Sequence, residues 1–333
     1  MPVNRSFEHE LAQLEAMSGR MPDGAGVERV RAALGHQNNY LVGKAARIVA
    51  DYSLIALLPA VLAAYDRFFE DAVRRDPQCW AKNALVKALV KLGCRDPQVY
   101  LRGLHHTQEE PVWGGHSDTA GTLRATCTHA LVECPEIGCA DLLDILLGPL
   151  LDSDKTVRIE AAKAIGNVGG VSAALLLKLR ILLRKDEPEV LGACFSALLG
   201  MEKTDRKSSI ALVAGFLDDG EEAAAEAAFA LAELHELTAL NALQARRRKG
   251  TDPWFGSILD HAIAVSRLPE ALEFLLSVIE EDARRADSAI EAIGRVYGSP
   301  EVRKRVQTAV SRSRSERALQ AFRQHFPEKN LDR

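Results

Sequence analysis

The segment from residue 154 to 169, DKTVRIEAAKAIGNVG, has a clear helical pattern of apolar and polar positions. Its apolar residues fall at the spacing of one helical face: Val157, Ala161, Ala164, Ile165 and Val168. The acidic and hydroxyl residues directly before it are typical of a helix N-terminus. Another apolar stretch, residues 141–151, precedes this turn. The pattern therefore predicts two helices joined as a hairpin.

This helical pattern recurs along the chain. In the second helix of each predicted hairpin, a large apolar residue follows a small one. The large residue recurs every 29 to 42 residues. The aligned large residues are Val49, Leu89, Leu131, Ile165, Leu198, Leu231, Ile263, Ile293 and Phe322. Alanine precedes the large residue in every case except Val49. A fixed repeat of this length indicates stacked hairpins, each covering the apolar face of its neighbour.

The segment DSDKTVRIEAAKAIGNVG resembles the second helix of a HEAT repeat, which combines an acidic turn, a Val-Arg pair, small residues and a Leu/Ile-Gly ending. The resemblance implies an all-α fold, a right-handed α-α superhelix of the HEAT/ARM type with about nine two-helix repeats. Second helices would line its concave side. We expect an N-terminal cap helix at 1–22, the solenoid at 23–326 with an inserted loop at 104–121, and a C-terminal tail at 327–333.

The Val-Arg signature is only partly present. Arg124 and Arg158 match the family's arginine position, and Lys82 is a weaker equivalent. Later repeats have Leu191, Ala224 and Gly256 there instead. The resemblance therefore implies a ladder of Asp–Arg contacts between repeats that is incomplete.

Composition supports a helical protein that is not secreted. Only 5% of the residues are aromatic, and the formal net charge is −4. No segment has the charge and apolar pattern of a secretion signal, and the six cysteines follow no disulfide framework. We therefore expect a cytoplasmic protein without a membrane span.

The inserted loop at 104–121 is the main interruption of the repeat, with the sequence LHHTQEEPVWGGHSDTAG. It can be interpreted as a recognition loop over one end of the concave surface, or as a long connector whose Trp113 packs back onto repeats two and three. Its histidines and carboxylates suit a metal, but their spacing matches no defined ligand pattern. We therefore expect no metal here.

A run of basic residues, Arg246, Arg247, Arg248 and Lys249, raises nucleic-acid binding as an alternative. Residues 284–333 carry 12 basic and 6 acidic residues, a net charge of +6, so residues 1–283 carry −10. Duplex binding requires a continuous positive track. The acidic body opposes that alternative, and the run can also be a solvated helix end.

The sequence contains no phosphate-binding loop, nucleophile elbow or dinucleotide motif, so an enzyme is not favoured and no cofactor is expected. We predict a non-enzymatic scaffold that binds a protein partner through its concave face and the 104–121 loop. The expected contact residues are Trp113, His116 and Asp118, with Arg124 and Arg158 as exposed neighbours on second helices. A HEAT-like lyase or metal-handling protein remains a further alternative.

Overall fold

Helices form wherever the sequence repeats its apolar stripe. The computed structural model describes residues 5–17, 19–201, 205–219, 221–250, 252–282 and 284–327. The chain divides into two compact units, Met1–Val168 and Gly169–Arg333. The predicted tail at 327–333 lies outside the described residues except for Pro327, as do residues 1–4 and 18 of the predicted cap.

Unit 1 contains ten helices and one pair of strands in its described part. In chain order they are α1 Arg5–Glu15, α2 Gly24–Leu34, α3 Asn39–Asp51, α4 Leu58–Arg67, α5 Ala72–Arg75, α6 Trp80–Lys91, α7 Pro97–Leu104, β1 Glu109–Val112, β2 Gly115–Asp118, α8 Gly121–Ala130, α9 Cys139–Leu150 and α10 Lys155–Val168. The second helices α3, α6, α8 and α10 pack side by side in that order.

Unit 2 is helical throughout its described part. Its helices are α11 Gly170–Leu183, α12 Pro188–Gly200, α13 Arg206–Ala214, α14 Glu221–Ala232, α15 Leu237–Arg248, α16 Pro253–Val265, α17 Pro269–Glu281, α18 Ala286–Val296, α19 Pro300–Ser313 and α20 Glu316–His325. Here α12, α14, α16, α18 and α20 pack side by side. Four hairpins in unit 1 and five in unit 2 give nine two-helix repeats among the described residues, which confirms the predicted all-α, HEAT-like solenoid fold.

The helix ends follow from local chemistry. Asp23, Asn38, Asp96 and Asp252 each accept a hydrogen bond from a backbone N–H of the following first turn. Those N–H groups have no partner within the helix, so the side chain stabilises the start. Several other helices begin with proline, whose fixed φ suits the first helical position.

The core of both units is built from the repeated apolar positions. All nine large residues that define the repeat are buried, and eight of them are buried almost completely. Cys127 and Cys194, which align with Ala161, are also fully buried. Burial raises the pKa of each of these two thiols to about 12, so they are inert core residues.

The 104–121 insertion differs from the prediction of a loop. Strands β1 and β2 pair antiparallel, with Glu109 opposite Asp118 and Val112 opposite Gly115. Trp113 and Gly114 form the two-residue turn, and Gly114 has a φ of +91°. That backbone conformation favours glycine, so the Gly114-Gly115 pair closes the hairpin. Among the described residues, no helix is long and apolar enough to cross a membrane.

Candidate functional site

The hairpin of β1 and β2 places its tip in solvent and its base in a buried polar network. Trp113 at the tip is 104% exposed, and its neighbour Val112 is 49% exposed. His116 on β2 is also exposed and pairs with Pro111 across the strands. The alternative in which Trp113 packs against repeats two and three is therefore wrong.

Gln108, just before β1, anchors the hairpin to the second repeat. Its side chain is almost completely buried. Its Nε2 donates to the carbonyl oxygen of Asp76 (2.8 Å), and its Oε1 accepts from Nζ of Lys82 (2.9 Å). Lys82 is itself fully buried and lies 3.1 Å from the carboxylate of Asp76. A buried amide with both ends satisfied fixes the start of β1.

Glu110 adds a second anchor on β1. Its Oε1 accepts hydrogen bonds from the N–H of Gln78 (2.5 Å), Nε2 of Gln108 (2.6 Å) and the hydroxyl of Thr119 (2.7 Å). Burial on its own raises the pKa of Glu110, but these hydrogen bonds outweigh it and lower that pKa below its ordinary value.

Asp118, at the end of β2, joins the hairpin to helix α8 of the third repeat. It accepts from the N–H groups of Gln108 (2.9 Å) and Ala120 (3.0 Å), and from the guanidinium of Arg124 (2.5 Å). Burial raises the pKa of Asp118, but these hydrogen bonds outweigh that effect and leave the pKa below its ordinary value. The carboxylate is therefore ionised and holds β2 against α8.

Arg124 is buried at the centre of this network, so the expectation that it is exposed is wrong. Its Nε and Nη2 donate to both carboxylate oxygens of Asp152 (2.7 and 2.9 Å), while Nη1 donates to Asp118 and to the carbonyl of His106 (3.1 Å). Burial on its own lowers the pKa of this guanidinium, but the bonds to Asp152 and Asp118 outweigh it and raise the pKa. The fork geometry suits this bidentate pairing.

Arg158 is also buried, and the expectation of an exposed side chain is wrong for it as well. Its Nη1 donates to the carbonyl oxygens of Asp152 (2.6 Å) and Ser153 (2.9 Å). Lys82, Arg124 and Arg158 thus occupy equivalent positions at the starts of α6, α8 and α10 and tie the turns of unit 1 together. These cations satisfy backbone and carboxylate oxygens instead of facing solvent.

The residues of the possible metal site lie on different sides of this network. His106 is half-buried, and this burial is the main reason that the pKa of its imidazole lies below the ordinary value. Its Nε2 is hydrogen-bonded to Oε1 of Gln108 (3.1 Å). His116 lies on β2 and is exposed to solvent. In the described part of the chain, no group of three His, Cys, Asp or Glu side chains is arranged to hold a metal ion.

The basic run at the end of α15 is already engaged within unit 2. Arg247 is buried, and its Nε and Nη2 each donate to a carboxylate oxygen of Asp260 at 2.7 Å. Arg246 and Lys249 both contact Asp218, and Arg248 lies over the ring of Phe274 (4.9 Å). Because Arg247 is held in a buried pair, the four residues do not present one continuous positive track. Nucleic-acid binding by this run stays an alternative that the acidic body of the chain opposes.

The second helices of unit 1 also have an exposed face with aromatic residues, which the sequence did not lead us to expect. Tyr40 on α3 and Trp80 on α6 stack at 5.8 Å between ring centroids, and Arg47 lies 5.3 Å from the centroid of Trp80. The signal was present in the repeat alignment, because Tyr40 and Trp80 each lie nine residues before the aligned apolar residue.

Comparisons with known proteins assign no function to this chain. No protein-family model matches the chain, and no curated protein matches it significantly. The matching solved structures include a crystal structure of the karyopherin Kap121p bound to the SUMO protease Ulp1p, with 14% sequence identity and a TM-score of 0.43. The match covers 98% of this chain and 45% of that chain, so this protein spans less than half of the karyopherin's length. The function therefore has to be argued from the chain's own surfaces.

Proposed function

We propose that this protein is a non-enzymatic cytoplasmic scaffold that binds a protein partner through the tip of the β1–β2 hairpin and the adjoining second helices. The fully exposed Trp113 at the tip of an anchored hairpin carries this proposal. Tryptophan is enriched among the residues that dominate binding energy in protein interfaces.

The anchored base supports a binding role for the tip. Gln108, Glu110 and Asp118 hold both strands through buried or half-buried hydrogen bonds. A rigid hairpin loses little conformational entropy when a partner docks, so more of the contact energy remains as affinity. Burial of the Trp113 ring would also remove a large apolar surface from water.

The exposed residues around the tip define the expected contact set. Val112 and His116 flank Trp113 on the two strands and are exposed. Asp118 and Arg124 hold the base of the hairpin, and Arg158 holds the turn that carries Asp152, so their expected effect on binding is indirect. We propose Trp113 as the anchor and His116 as a polar contact beside it.

The test compares partner capture by variants of the full chain. Wild type, Trp113→Ala and Ile55→Ala are used as baits in a lysate of the native source, with quantitative mass spectrometry as the readout. Ile55 is the control because it is 66% exposed in unit 1 and lies outside the hairpin. We expect a partner that wild type and Ile55→Ala retain and that Trp113→Ala loses by about tenfold or more.

Thermal unfolding separates binding from folding. The midpoint of Trp113→Ala should match that of wild type, because the removed ring has no packing contacts to lose. Equal recovery of every partner by Trp113→Ala and wild type would contradict a role for the hairpin tip. Absence of any protein enriched over an unrelated helical bait would contradict the scaffold function itself.

A further inference from the structure

The second helices of unit 1 expose equivalent positions side by side. Two residues before the aligned apolar residue, the four helices carry Arg47, Lys87, His129 and Lys163. All four side chains are exposed. We call these four residues the cation row; Arg47, Lys87 and Lys163 carry its fixed positive charge, and His129 is charged only when it is protonated. Because each belongs to the next helix in the stack, the row crosses α3, α6, α8 and α10 in order.

Two of the four side chains in the cation row lack a carboxylate partner in the described part of the chain. Among the described residues, no carboxylate forms an ion pair with Arg47 or Lys87. Glu160 is the carboxylate that reaches the row, at 2.7 Å from Lys163 and 3.4 Å from His129. Lys91 adds further positive charge on α6, whereas Lys44 on α3 is paired with Glu15 at 3.4 Å. This face is therefore positive on a chain whose net charge is −4, so it favours an anionic partner.

One end of the row rests on an ordered aromatic platform. Arg47 lies over Trp80, and Lys44 lies 5.4 Å from the ring centroid of its neighbour Tyr40. A Cβ at Gly43 would be 3.0 Å from Cδ1 of Trp80, so this glycine lets the indole lie close to α3. The ring of Trp80 already contacts both Tyr40 and Arg47. A nucleotide base would have to displace one of them to stack there, which disfavours single-stranded nucleic acid.

A groove lies in the middle of the row, between α6, α8 and α10. It has a volume of 280 Å³ and is lined by Lys87, Val90, Thr122, Ala125, Thr126, His129, Thr156 and Glu160. Val90, Ala125 and the threonine methyl groups make its floor apolar. Small-molecule sites measure about 300–1,000 Å³. This open groove lies at the lower end of that range, and its apolar lining can receive an aliphatic side chain of a polypeptide.

The spacing of the row fits an extended polypeptide. Packed helices lie about 8–10 Å apart. A segment in the extended polyproline II conformation rises about 3.1 Å per residue and returns its side chains to the same side every three residues, a span of about 9 Å. An acidic residue at every third position would therefore meet successive cations of the row, with an aliphatic residue available for the groove.

We propose that the second-helix face of unit 1 binds an extended acidic polypeptide segment, whose carboxylates pair with the cation row and one of whose aliphatic side chains fills the groove at Val90. This inference rests on the proposed scaffold function and names the chemistry of the partner segment.

The test measures fluorescence anisotropy of labelled peptides with the purified full chain. The first peptide has glutamate at every third position and a central leucine, and the second has the same composition with the glutamates clustered. A third replaces leucine by serine, and a fourth replaces every glutamate by lysine. A mixed-sequence oligonucleotide, single-stranded and duplex, completes the set.

The variants separate the face from net charge. Lys87→Glu/Lys163→Glu reverses two exposed positions of the row. Arg74→Glu/Arg95→Glu makes the same change in net charge at exposed positions outside it. We expect the affinity of the spaced acidic peptide to be lower by about tenfold or more for the row variant than for wild type, and to be unchanged for the control variant. The unfolding midpoints of both variants should equal that of wild type. The clustered and serine peptides should bind several-fold more weakly than the spaced peptide.

Three results would overturn the inference. The row variant could bind the spaced acidic peptide as tightly as wild type does, or wild type could bind the lysine peptide as tightly as the acidic one. Wild type could also bind an oligonucleotide more tightly than the acidic peptide, with that binding lost in the row variant. Trp113→Ala should bind the spaced peptide like wild type. If the spaced acidic peptide does not bind but partner capture depends on Trp113, only this inference is contradicted. If Trp113-dependent capture fails while peptide binding depends on the row, the hairpin role alone fails.

Discussion

Trp113 and Arg124 have opposite environments although both were expected at the surface. The Trp113 ring is fully exposed, whereas the Arg124 guanidinium is buried and bonded to two carboxylates. The sequence distinguishes neither case, because an exposed tryptophan and a buried arginine both violate the usual preference of their residue types. Only the position of their neighbours decides between exposure and burial.

Gly103 on α7 shows how closely the repeats pack at a single residue. A Cβ there would lie 2.3 Å from the hydroxyl oxygen of Tyr65 and 2.4 Å from Sγ of Cys127. Gly103→Ala should destabilise the fold by about 1–3 kcal/mol, because the buried neighbours must move. Chemical denaturation measures this difference. Gly148→Ala on α9 is the control, since its added methyl group would meet nothing within 4 Å. Equal stability of the two variants would contradict tight packing at α7.

The pair of Arg247 and Asp260 makes a second prediction at the residue scale. Both side chains are buried, and Asp260 also accepts from the hydroxyl of Ser288 (2.5 Å). Arg247→Ala leaves an unpaired buried carboxylate, so we expect a loss of about 3–5 kcal/mol in the free energy of unfolding. Lys249→Ala should have almost no effect, because its side chain is largely exposed. A mild effect of Arg247→Ala would show that water reaches Asp260.

At the scale of elements, the β1–β2 hairpin depends on ionised carboxylates at its base. The folded pKa values of Asp118 and Glu110 are both lower than their ordinary values of 3.8 and 4.5. A group with a depressed folded pKa contributes stability above its unfolded pKa and loses it as the pH falls through the folded pKa. The hairpin contacts should therefore be fully present above about pH 5 and weaken below about pH 4.

Hydrogen–deuterium exchange at residues 108–119 measures this loosening. At pH values above 5, Asp118→Asn should raise exchange of the hairpin amides, because the charged bonds to Arg124 are lost. Once the pH falls below the lowered folded pKa of Asp118, the variant and wild type should converge. Asp144→Asn, at an exposed position of α9, is the control and should follow wild type throughout. If the protection of these amides, relative to their intrinsic exchange rates at each pH, stayed constant in wild type down to about pH 2, this role of the carboxylates would be contradicted.

The helices themselves were largely predictable, and the hairpin was not. Every large residue of the repeat is buried as its 3.6-residue pattern requires, because that pattern leaves only one apolar face to cover. The strands β1 and β2 have little alternation of apolar and polar residues, and they are held mainly by Gln108, Glu110 and Asp118. Their partners Asp76 and Lys82 lie in the preceding repeat, 32 and 26 residues from Gln108, so no local pattern reveals them.

At the scale of the whole molecule, each repeat depends chiefly on its neighbours. In unit 2, α16 packs on α14, α15, α17 and α18. Stability in such an array is approximately a sum of local repeat and interface terms. A defect in one repeat should therefore spread to adjacent repeats and fade beyond them.

Ile263→Ala tests this locality. Ile263 on α16 is fully buried, and its truncation should cost about 2–5 kcal/mol. Hydrogen–deuterium exchange should increase most in α14, α16 and α18, and the helices of unit 1 should keep their protection. An equal increase over both units would show that the chain unfolds as one cooperative block instead.

The sequence by itself determined the helical repeat and the number of hairpins, because apolar periodicity and small residues act through near neighbours. It also singled out residues 104–121 as the unusual segment. The tertiary structure decided which side chains of that segment face solvent. It also decided that the repeat arginines serve buried contacts and that four second helices align their cations. These features depend on residues brought together from separate repeats, and such distances are set by packing rather than by local pattern.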